Sequence, residues 1–175
     1  MSAPTVRRPP DSASAPADEG AMRLAQDLLF FAYRDFTNAA DVILEELGLG
    51  RAHHRALHFI GRNPGITVTE LLGILRITKQ SLARVLSDLI GRGDVAQAPG
   101  PVDRRQRLLR LTETGQALER RLFEGQRARL AAAYDAAGSE AVAGFARVMR
   151  GIMDTEACAY LARAHLDDTG ADDAR

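Results

Sequence analysis

The sequence predicts a mainly α-helical fold that carries one small β-hairpin. Two long segments without proline, one towards each end of the chain, have apolar residues at helical spacing. Between them lie two short amphipathic segments, followed by two strand-like segments around a tip rich in Pro and Gly. We therefore expect a winged helix-turn-helix, in which the hairpin is the wing, between long N- and C-terminal helices.

Both ends of the chain are expected to lie outside the folded domain. Residues 1–20 hold four of the seven prolines among Ser, Ala and Asp, and such a composition cannot bury enough apolar surface to offset the entropy of ordering. Residues 167–175 hold four Asp and one Arg, a net charge of −3. We expect a disordered N-terminal tail, an acidic C-terminal tail, and one domain over residues 21–166 whose last helix ends before Asp167.

The first two helices are predicted from the residues that end them. The segment from about 21 to 48 has neither Pro nor Gly in its interior, so one amphipathic helix is expected there. A second helix from Arg51 to Arg62 stops at the sequence Asn-Pro-Gly over 63–65, because Pro disfavours a helical residue before it and Gly permits positive φ.

Two caps predict the helix-turn-helix. Thr67 and Glu70 have the spacing of a capping box, so a helix is expected to start at Thr67. Thr78 is a second cap-like residue, and an amphipathic helix follows it from Lys79 to about Gly91. Two helices joined by about three residues form a helix-turn-helix.

The wing and the last helices complete the expected domain. Strands at 94–97 and 108–111 surround a loop that starts at Ala98, and its prolines exclude a two-residue turn. This places the helix-turn-helix lobe at about 51–111. After Thr112, two long helices broken near Gly138 are expected as far as about residue 165.

The long helices predict a partner subunit. The helix from Thr112 to about Ala137 would measure about 39 Å at roughly 1.5 Å per residue, which is longer than so small a domain needs. Its apolar face and that of the first helix would remain uncovered in a monomer. We therefore expect a homodimer with dimerisation helices at about 21–48 and 112–165.

Positive charge is concentrated in one region of the chain. The whole chain has 23 Lys and Arg against 23 Asp and Glu, whereas residues 76–110 have eight positive and three negative residues, a net charge of +5. This region holds the second helix of the helix-turn-helix and the wing, where DNA contacts would be made. An ordinary solvated basic surface is the alternative. The predicted DNA-contacting residues are Thr78, Lys79, Gln80, Ser81, Arg84, Asp103, Arg104, Arg105 and Arg107.

Residues 103–115 contain Asp103, Arg105, Leu111, Thr112 and Gly115, in the order Asp, any residue, Arg, then a strand ending in Leu-Thr before a long helix with a nearby Gly. This pattern resembles the wing of the MarR family of bacterial regulators. Residues 63–72 and 78–93 also look like that family. The resemblance covers about residues 22–165.

The resemblance implies a homodimer on a pseudo-palindromic operator, with the second helix of each helix-turn-helix in the major groove and each wing in the flanking minor groove. By position, Arg105 would enter the minor groove and Asp103 would orient it through an ion pair. The alternative for this pair is an ordinary surface salt bridge. Family members most often repress transcription and are released by a small, often aromatic or anionic, molecule.

His54 and His58 lie four residues apart on the second helix and so share a face. In the MarR family this helix borders the effector cavity, so His54, His58 and Arg55 are expected to contact an anionic effector; two packing histidines are the alternative. Two histidines are too few for a metal or haem site, and we expect no metal there. Cys158 lies on an apolar stretch and is expected to be a buried, inert thiol.

Composition argues against other classes of protein. A single cysteine excludes an internal disulfide framework and a multi-cysteine zinc site. No apolar run approaches the roughly 20 residues that span a bilayer, and the N-terminus lacks a secretory signal. No phosphate-binding glycine motif or activated nucleophile is present, so neither an enzyme nor a cofactor is expected. We expect a cytoplasmic transcription regulator; the alternative is a winged-helix protein-interaction adaptor without DNA binding.

Overall fold

The computed structural model describes residues 18–169, with side chains described as far as residue 164. It is mainly helical with a small antiparallel sheet, which confirms the predicted fold class. The helices are α1 (Glu19–Glu46), α2 (Arg51–Arg62), α3 (Val68–Leu75), α4 (Lys79–Gly91), α5 (Glu113–Ile152) and α6 (Thr155–Thr169). The strands are β1 (Ile66–Thr67), β2 (Val95–Pro99) and β3 (Arg107–Leu111).

The chain divides into two compact units. The first ends at Asp35 and, in the described part, holds the N-terminal portion of α1; the second begins at Phe36 and holds the other elements. Within the second unit, one apolar core takes side chains from helices and sheet alike, so the helix-turn-helix and the base of the wing share that core. Its most buried members are Leu44, Leu57, Ile60, Leu71, Leu82, Leu89, Leu109 and Leu122.

The sheet has the strand order β1-β3-β2 and is antiparallel throughout. Strand β1 was not predicted, because two residues are too few to show an alternating pattern. Strand β2 extends to Pro99, which pairs with Arg107, whereas the sequence placed Pro99 in the loop. Proline is tolerated there because β2 is an edge strand.

Local hydrogen bonds explain why the helix-turn-helix forms where it does. The hydroxyl of Thr67 accepts a hydrogen bond from the backbone N–H of Glu70 at 3.1 Å, and the Glu70 carboxylate accepts one from the backbone N–H of Thr67 at 2.8 Å. The predicted capping box is therefore confirmed. Between α3 and α4 the chain turns at Arg76, whose backbone is left-handed, with φ 49° and ψ 42°.

The C-terminal helices agree only in part with the prediction. Gly138 has φ 80° inside α5, so the expected break near this residue is confirmed. The second expected helix is interrupted, because Met153 is extended, with φ −79° and ψ 152°, and α6 starts at Thr155. The cause is local: the Asp154 carboxylate accepts a hydrogen bond from the backbone N–H of Ala157 at 2.8 Å and caps a new helix.

Helix α6 also ends later than expected. It runs to Thr169, whereas the sequence predicted an end before Asp167. Carboxylates in the last turn oppose the helix macrodipole by only about 0.3–1 kcal/mol each, which is too little to end a helix. No Pro or Gly interrupts this segment.

The predicted tails lie mainly outside the described residues. Residues 1–17 and 170–175 are not described, and Glu19 and Gly20 of the expected N-terminal tail belong to α1. In the described range, no helix combines the length and the apolarity that crossing a membrane requires.

Candidate nucleic-acid interface

Helix α4 presents one polar face to solvent. Gln80, Arg84 and Ser87 are exposed and follow one another at spacings of four and three residues, so they share one side of the helix. Ser87 was missing from the predicted contacts, although its spacing from Gln80 and Arg84 is visible in the sequence. The buried stripe on the other side consists of Leu82, Val85, Leu86 and Leu89.

The first turn of α4 is held by its cap. The hydroxyl of Thr78 accepts a hydrogen bond from the backbone N–H of Ser81 at 3.1 Å and donates one to the Ser81 hydroxyl at 2.8 Å. These two predicted contact residues are therefore engaged with each other, while both remain exposed. The neighbouring side chains of Lys79 and Gln80 are exposed as well.

His53 connects α2 to α4. Its Nδ1 accepts a hydrogen bond from the backbone N–H of Gly50 at 3.1 Å, so the proton of the neutral ring is on Nε2. Nε2 lies 3.1 Å from the Asp88 carboxylate, to which it donates. Sequence reasoning missed this contact because its partners lie 35 residues apart, and no local pattern marks them.

The wing tip is shaped by Asp103, but not in the predicted way. Its carboxylate accepts a hydrogen bond from the backbone N–H of Arg105 at 2.9 Å. Within residues 18–169, no ion pair joins Asp103 to the guanidinium of Arg105, so the expected ion pair is wrong. An Asp side chain readily bonds a backbone N–H two residues later, whereas an exposed ion pair gains little.

Two backbone hydrogen bonds close the same loop. The N–H of Gly100 donates to the carbonyl of Gln106 at 3.0 Å, and the N–H of Gln106 donates to the carbonyl of Asp103 at 3.1 Å. The side chains of Arg104, Arg105 and Arg107 are exposed on this framework. The tip therefore displays several guanidinium groups on a hydrogen-bonded loop.

A groove of about 860 Å³ lies between α4 and the wing and reaches the start of α3. Of the predicted DNA-contacting residues it brings together Asp103, Arg105 and Arg107, while those of α4 lie outside it. On the helix side it is lined by residues outside the predicted DNA contacts, among them Ala83, Ser87 and Ile90.

The eight basic residues of the segment 76–110 fall into two groups. Two of the eight counted from the sequence are in ion pairs: Arg76 with Asp154 and Glu156, and Arg92 with Asp94 at 2.9 Å. The other six form no ion pair with any residue in the described part of the chain. They are Lys79, Arg84, Arg104, Arg105, Arg107 and Arg110.

The predicted effector contacts lie on α2, where His54 and His58 are half-buried and Arg55 is exposed. Burial lowers the pKa of His54, and the neighbouring His58 lowers it further. Burial also lowers the pKa of His58, although Glu119, 3.7 Å from its Nδ1, favours the protonated ring. Both rings are therefore neutral at pH 7 and can act as hydrogen-bond donors, while Arg55 supplies charge.

Cys158 is partly buried on α6. Its thiol lies 3.6 Å from the backbone carbonyl of Arg150 and can donate to it. Among the described residues, no group of three or more His, Cys, Asp or Glu side chains is placed to hold a metal ion.

Comparison with known proteins identifies relatives in sequence and in structure. Residues 47–106 match the model of the MarR family. The HTH-type transcriptional regulator PetP of Rhodobacter capsulatus is 54% identical over 133 residues, which cover 76% of this chain and 80% of PetP.

Among the solved structures that share the fold are two that contain a bound molecule. A mutant MarR from E. coli complexed with operator DNA has a TM-score of 0.60 at 21% identity, covering 79% of this chain and all of that one. The PcaV transcriptional regulator from Streptomyces coelicolor, in complex with its natural ligand, has a TM-score of 0.57 at 21% identity, covering 86% of this chain and 99% of that one. The match of the family model and the identity to PetP over most of both chains show that this chain belongs to the MarR family.

Proposed function

We propose that this chain is a homodimeric, sequence-specific DNA-binding transcription regulator that represses by occupying its operator. The observation that carries the proposal is the coincidence of a polar, exposed α4 face with six basic residues that have no ion-pair partner in the described part of the chain. A protein-only adaptor has no need of that charge pattern. The relative PetP is named as a transcriptional regulator, and MarR binds operator DNA.

Each part of the interface suits a different part of DNA. Helix α4 fits the major groove, where Gln80 can pair with an adenine edge and Arg84 with a guanine edge. The wing tip fits the minor groove, whose narrow stretches attract arginine, and Arg105 is the residue we assign to it. In a two-fold dimer, half-sites would lie about 34–36 Å apart, which implies a pseudo-palindromic operator.

Exposed apolar side chains support the dimer. On α1, Leu24, Leu28 and Phe31 are 58%, 61% and 49% exposed and recur at helical spacing. On α5, Phe145 and Val148 are 50% and 65% exposed. Exposed apolar surfaces of this kind mark interaction sites, and we assign this one to the second subunit.

Release by a small molecule is the second part of the proposal. PcaV was crystallised with its natural ligand, and we propose a small anionic or aromatic effector for this chain. Arg55 would attract the charge of an anion, while neutral His54 and His58 would donate hydrogen bonds. Belonging to a family of transcription regulators, the chain is proposed to act without catalysis, in the cytoplasm.

The test is a footprint of the purified dimer on DNA flanking its own gene. Wild type is compared with Arg105→Ala and with Arg129→Ala, an exposed arginine of α5 outside the proposed interface. We expect a protected pseudo-palindrome that is weakened by Arg105→Ala alone. If a folded dimer protects no DNA at low salt, the regulator is excluded and the adaptor becomes the better assignment.

A further inference from the structure

Arg76 joins the turn of the helix-turn-helix to the start of α6. Its Nη1 lies 2.7 Å from the Asp154 carboxylate, and its Nη2 lies 2.8 Å from the Glu156 carboxylate. Both ends of the guanidinium are thus occupied by residues about 80 positions away in sequence. The same residue supplies the left-handed backbone of the turn, and it is the only described residue other than glycine with positive φ.

A second contact attaches α6 to the same lobe. The side-chain amide of Asn63 donates to the hydroxyl of Tyr160 at 2.9 Å and to the carbonyl of Phe59 at 2.8 Å. The ring of Tyr160 packs edge-on against Phe59, with centroids 5.6 Å apart. Glu156 and Tyr160 are four residues apart, so one face of α6 makes both attachments.

These contacts are better suited to positioning than to stabilising the chain. The side chains of Arg76, Asp154 and Glu156 are 60%, 46% and 84% exposed, and exposed ion pairs add little to the free energy of folding. The planar guanidinium nevertheless fixes the orientation of the turn relative to α6, because each of its two ends bonds a different carboxylate. Thr78, the cap of α4, follows Arg76 by only two residues.

We propose that Arg76 is a positioning residue for DNA binding: through Asp154 and Glu156 it ties the turn before α4 to α6, so the placement of α4 on DNA depends on α6. The proposal rests on the proposed function. It separates Arg76 from basic residues such as Arg84 and Arg105, which are assigned to DNA itself. A shift of α6 at the dimer contact would thereby reach α4.

The opposite assignment is that Arg76 binds a DNA phosphate and that the two carboxylates compete for it. The two assignments predict opposite changes in DNA affinity when the carboxylates are neutralised. If the carboxylates compete, their neutralisation frees Arg76 and tightens DNA binding. If they position the turn, neutralisation weakens DNA binding, although the dimer becomes more positive and general electrostatics favour DNA.

The experiment measures the Kd for operator DNA over a series of salt concentrations, using the full-length dimer. The test variant is Asp154→Asn with Glu156→Gln, because the asparagine side chain keeps the oxygen that caps α6. Its control is Asp135→Asn with Glu140→Gln, which makes the same change of charge on α5. Arg76→Gln and Arg84→Gln complete the set, and Tyr160→Phe removes the hydrogen bond from Asn63 while it keeps the ring.

We expect the test variant to bind about 3- to 10-fold more weakly than wild type and its control to bind as tightly as wild type or more tightly. Arg76→Gln should weaken binding with an unchanged salt dependence, and Tyr160→Phe should weaken it less. Equal or tighter binding by the test variant overturns the proposal. So does a smaller salt dependence in Arg76→Gln, since that is the signature of a lost phosphate contact.

Failure of the proposed function looks different. In that case wild type and all variants, including Arg84→Gln, show the same weak binding to any DNA, and the positioning role falls with it. If Arg84→Gln loses operator binding while the test variant does not, only the positioning role is refuted.

Discussion

At the wing tip, Asp103 orders the loop as a hydrogen-bond acceptor, because its partner is the backbone N–H of Arg105. Asp103→Asn keeps a side-chain acceptor and removes a negative charge close to DNA. Asp103→Ala removes the acceptor and leaves the tip less ordered. We expect the Asn variant to bind operator DNA as tightly as wild type or more tightly, and the Ala variant to bind about 5-fold more weakly, since one such hydrogen bond contributes about 1 kcal/mol.

Titration of both variants by fluorescence anisotropy checks this prediction. An equal loss of affinity in the Asn and Ala variants would contradict it, because that result requires the charge of Asp103 and hence an ion pair with Arg105. Arg129→Ala again serves as a control for changes unrelated to the wing.

The histidines of α2 predict a dependence of stability on pH. Well above their ordinary pKa of 6.5, both rings are neutral in the folded and in the unfolded chain. There the lowered pKa values of the folded chain have no effect on its stability. As the pH falls below 6.5, the unfolded chain binds the protons first, because burial lowers the pKa of both rings in the folded chain. The free energy of unfolding should therefore decrease below pH 6.5.

Urea unfolding of wild type and of His54→Gln with His58→Gln, at a series of pH values from 7.5 down to 5, measures this effect. The double variant should lose less stability than wild type over this range. Asp41 and Glu70, whose pKa values are lowered chiefly by hydrogen bonds from Arg51 and Thr67, lose their contribution only at lower pH. If the free energies of unfolding of the two proteins fell in parallel with pH, the two histidine rings would not be responsible for the loss of stability.

At the scale of elements, the junction between the wing and α5 depends on a close approach at Gly115. A Cβ on this residue would overlap the backbone carbonyl of Asp94. The hydroxyl of Thr112 caps α5 through the N–H of Gly115 at 3.1 Å and also donates to the carbonyl of Gly93 at 2.6 Å, so the backbone has little freedom to move.

Gly115→Ala should therefore lower the free energy of unfolding by about 1–3 kcal/mol, the usual cost of overpacking. Gly73→Ala is the control, because Gly73 lies inside helix α3 with no atom within 4 Å of the added Cβ. There we expect a gain of up to about 1 kcal/mol from helix propensity. Urea titrations of both would refute the argument if Gly115→Ala were as stable as wild type.

The elements that sequence could predict are those with local causes. The capping box of Thr67 and Glu70 acts across three residues, and the break at Gly138 follows from one residue type. The start of α6 has a cause just as local, the Asp154 cap, but a cap-like residue inside a continuous apolar pattern does not compel a break. The two-residue strand β1 exists only because β3 lies beside it.

In the candidate interface, too, the features with local causes could be predicted and the contacts between distant residues could not. The basic wing and the polar side of α4 could be predicted, since both are continuous in sequence. The bond from His53 to Asp88 and the ion pairs of Arg76 join positions 35 and about 80 residues apart, and no pattern in a single sequence reports them. As a result, the charge count over 76–110 included Arg76, which the fold assigns to two distant carboxylates. It also included Arg92, although its partner Asp94 is only two residues away.

For the whole molecule, zero net charge means that attraction to DNA comes from one lobe of each subunit rather than from the chain as a whole. A two-fold dimer presents every contact twice, so the loss of one phosphate-binding residue removes two contacts. The logarithm of the binding constant falls with the logarithm of the salt concentration by about 0.9 per phosphate contact.

Arg107, at the start of β3 next to the wing tip and without an ion-pair partner in residues 18–164, is the residue we assign to a phosphate. Arg107→Gln should reduce the salt slope by about 1.8 and weaken binding to all sequences alike. Arg121→Gln makes the same change of charge at a residue that is paired with Glu46 at 2.7 Å, so its slope should equal that of wild type. A slope unchanged in Arg107→Gln would contradict the assignment of Arg107 to a phosphate and leave Arg105 as the wing residue assigned to DNA.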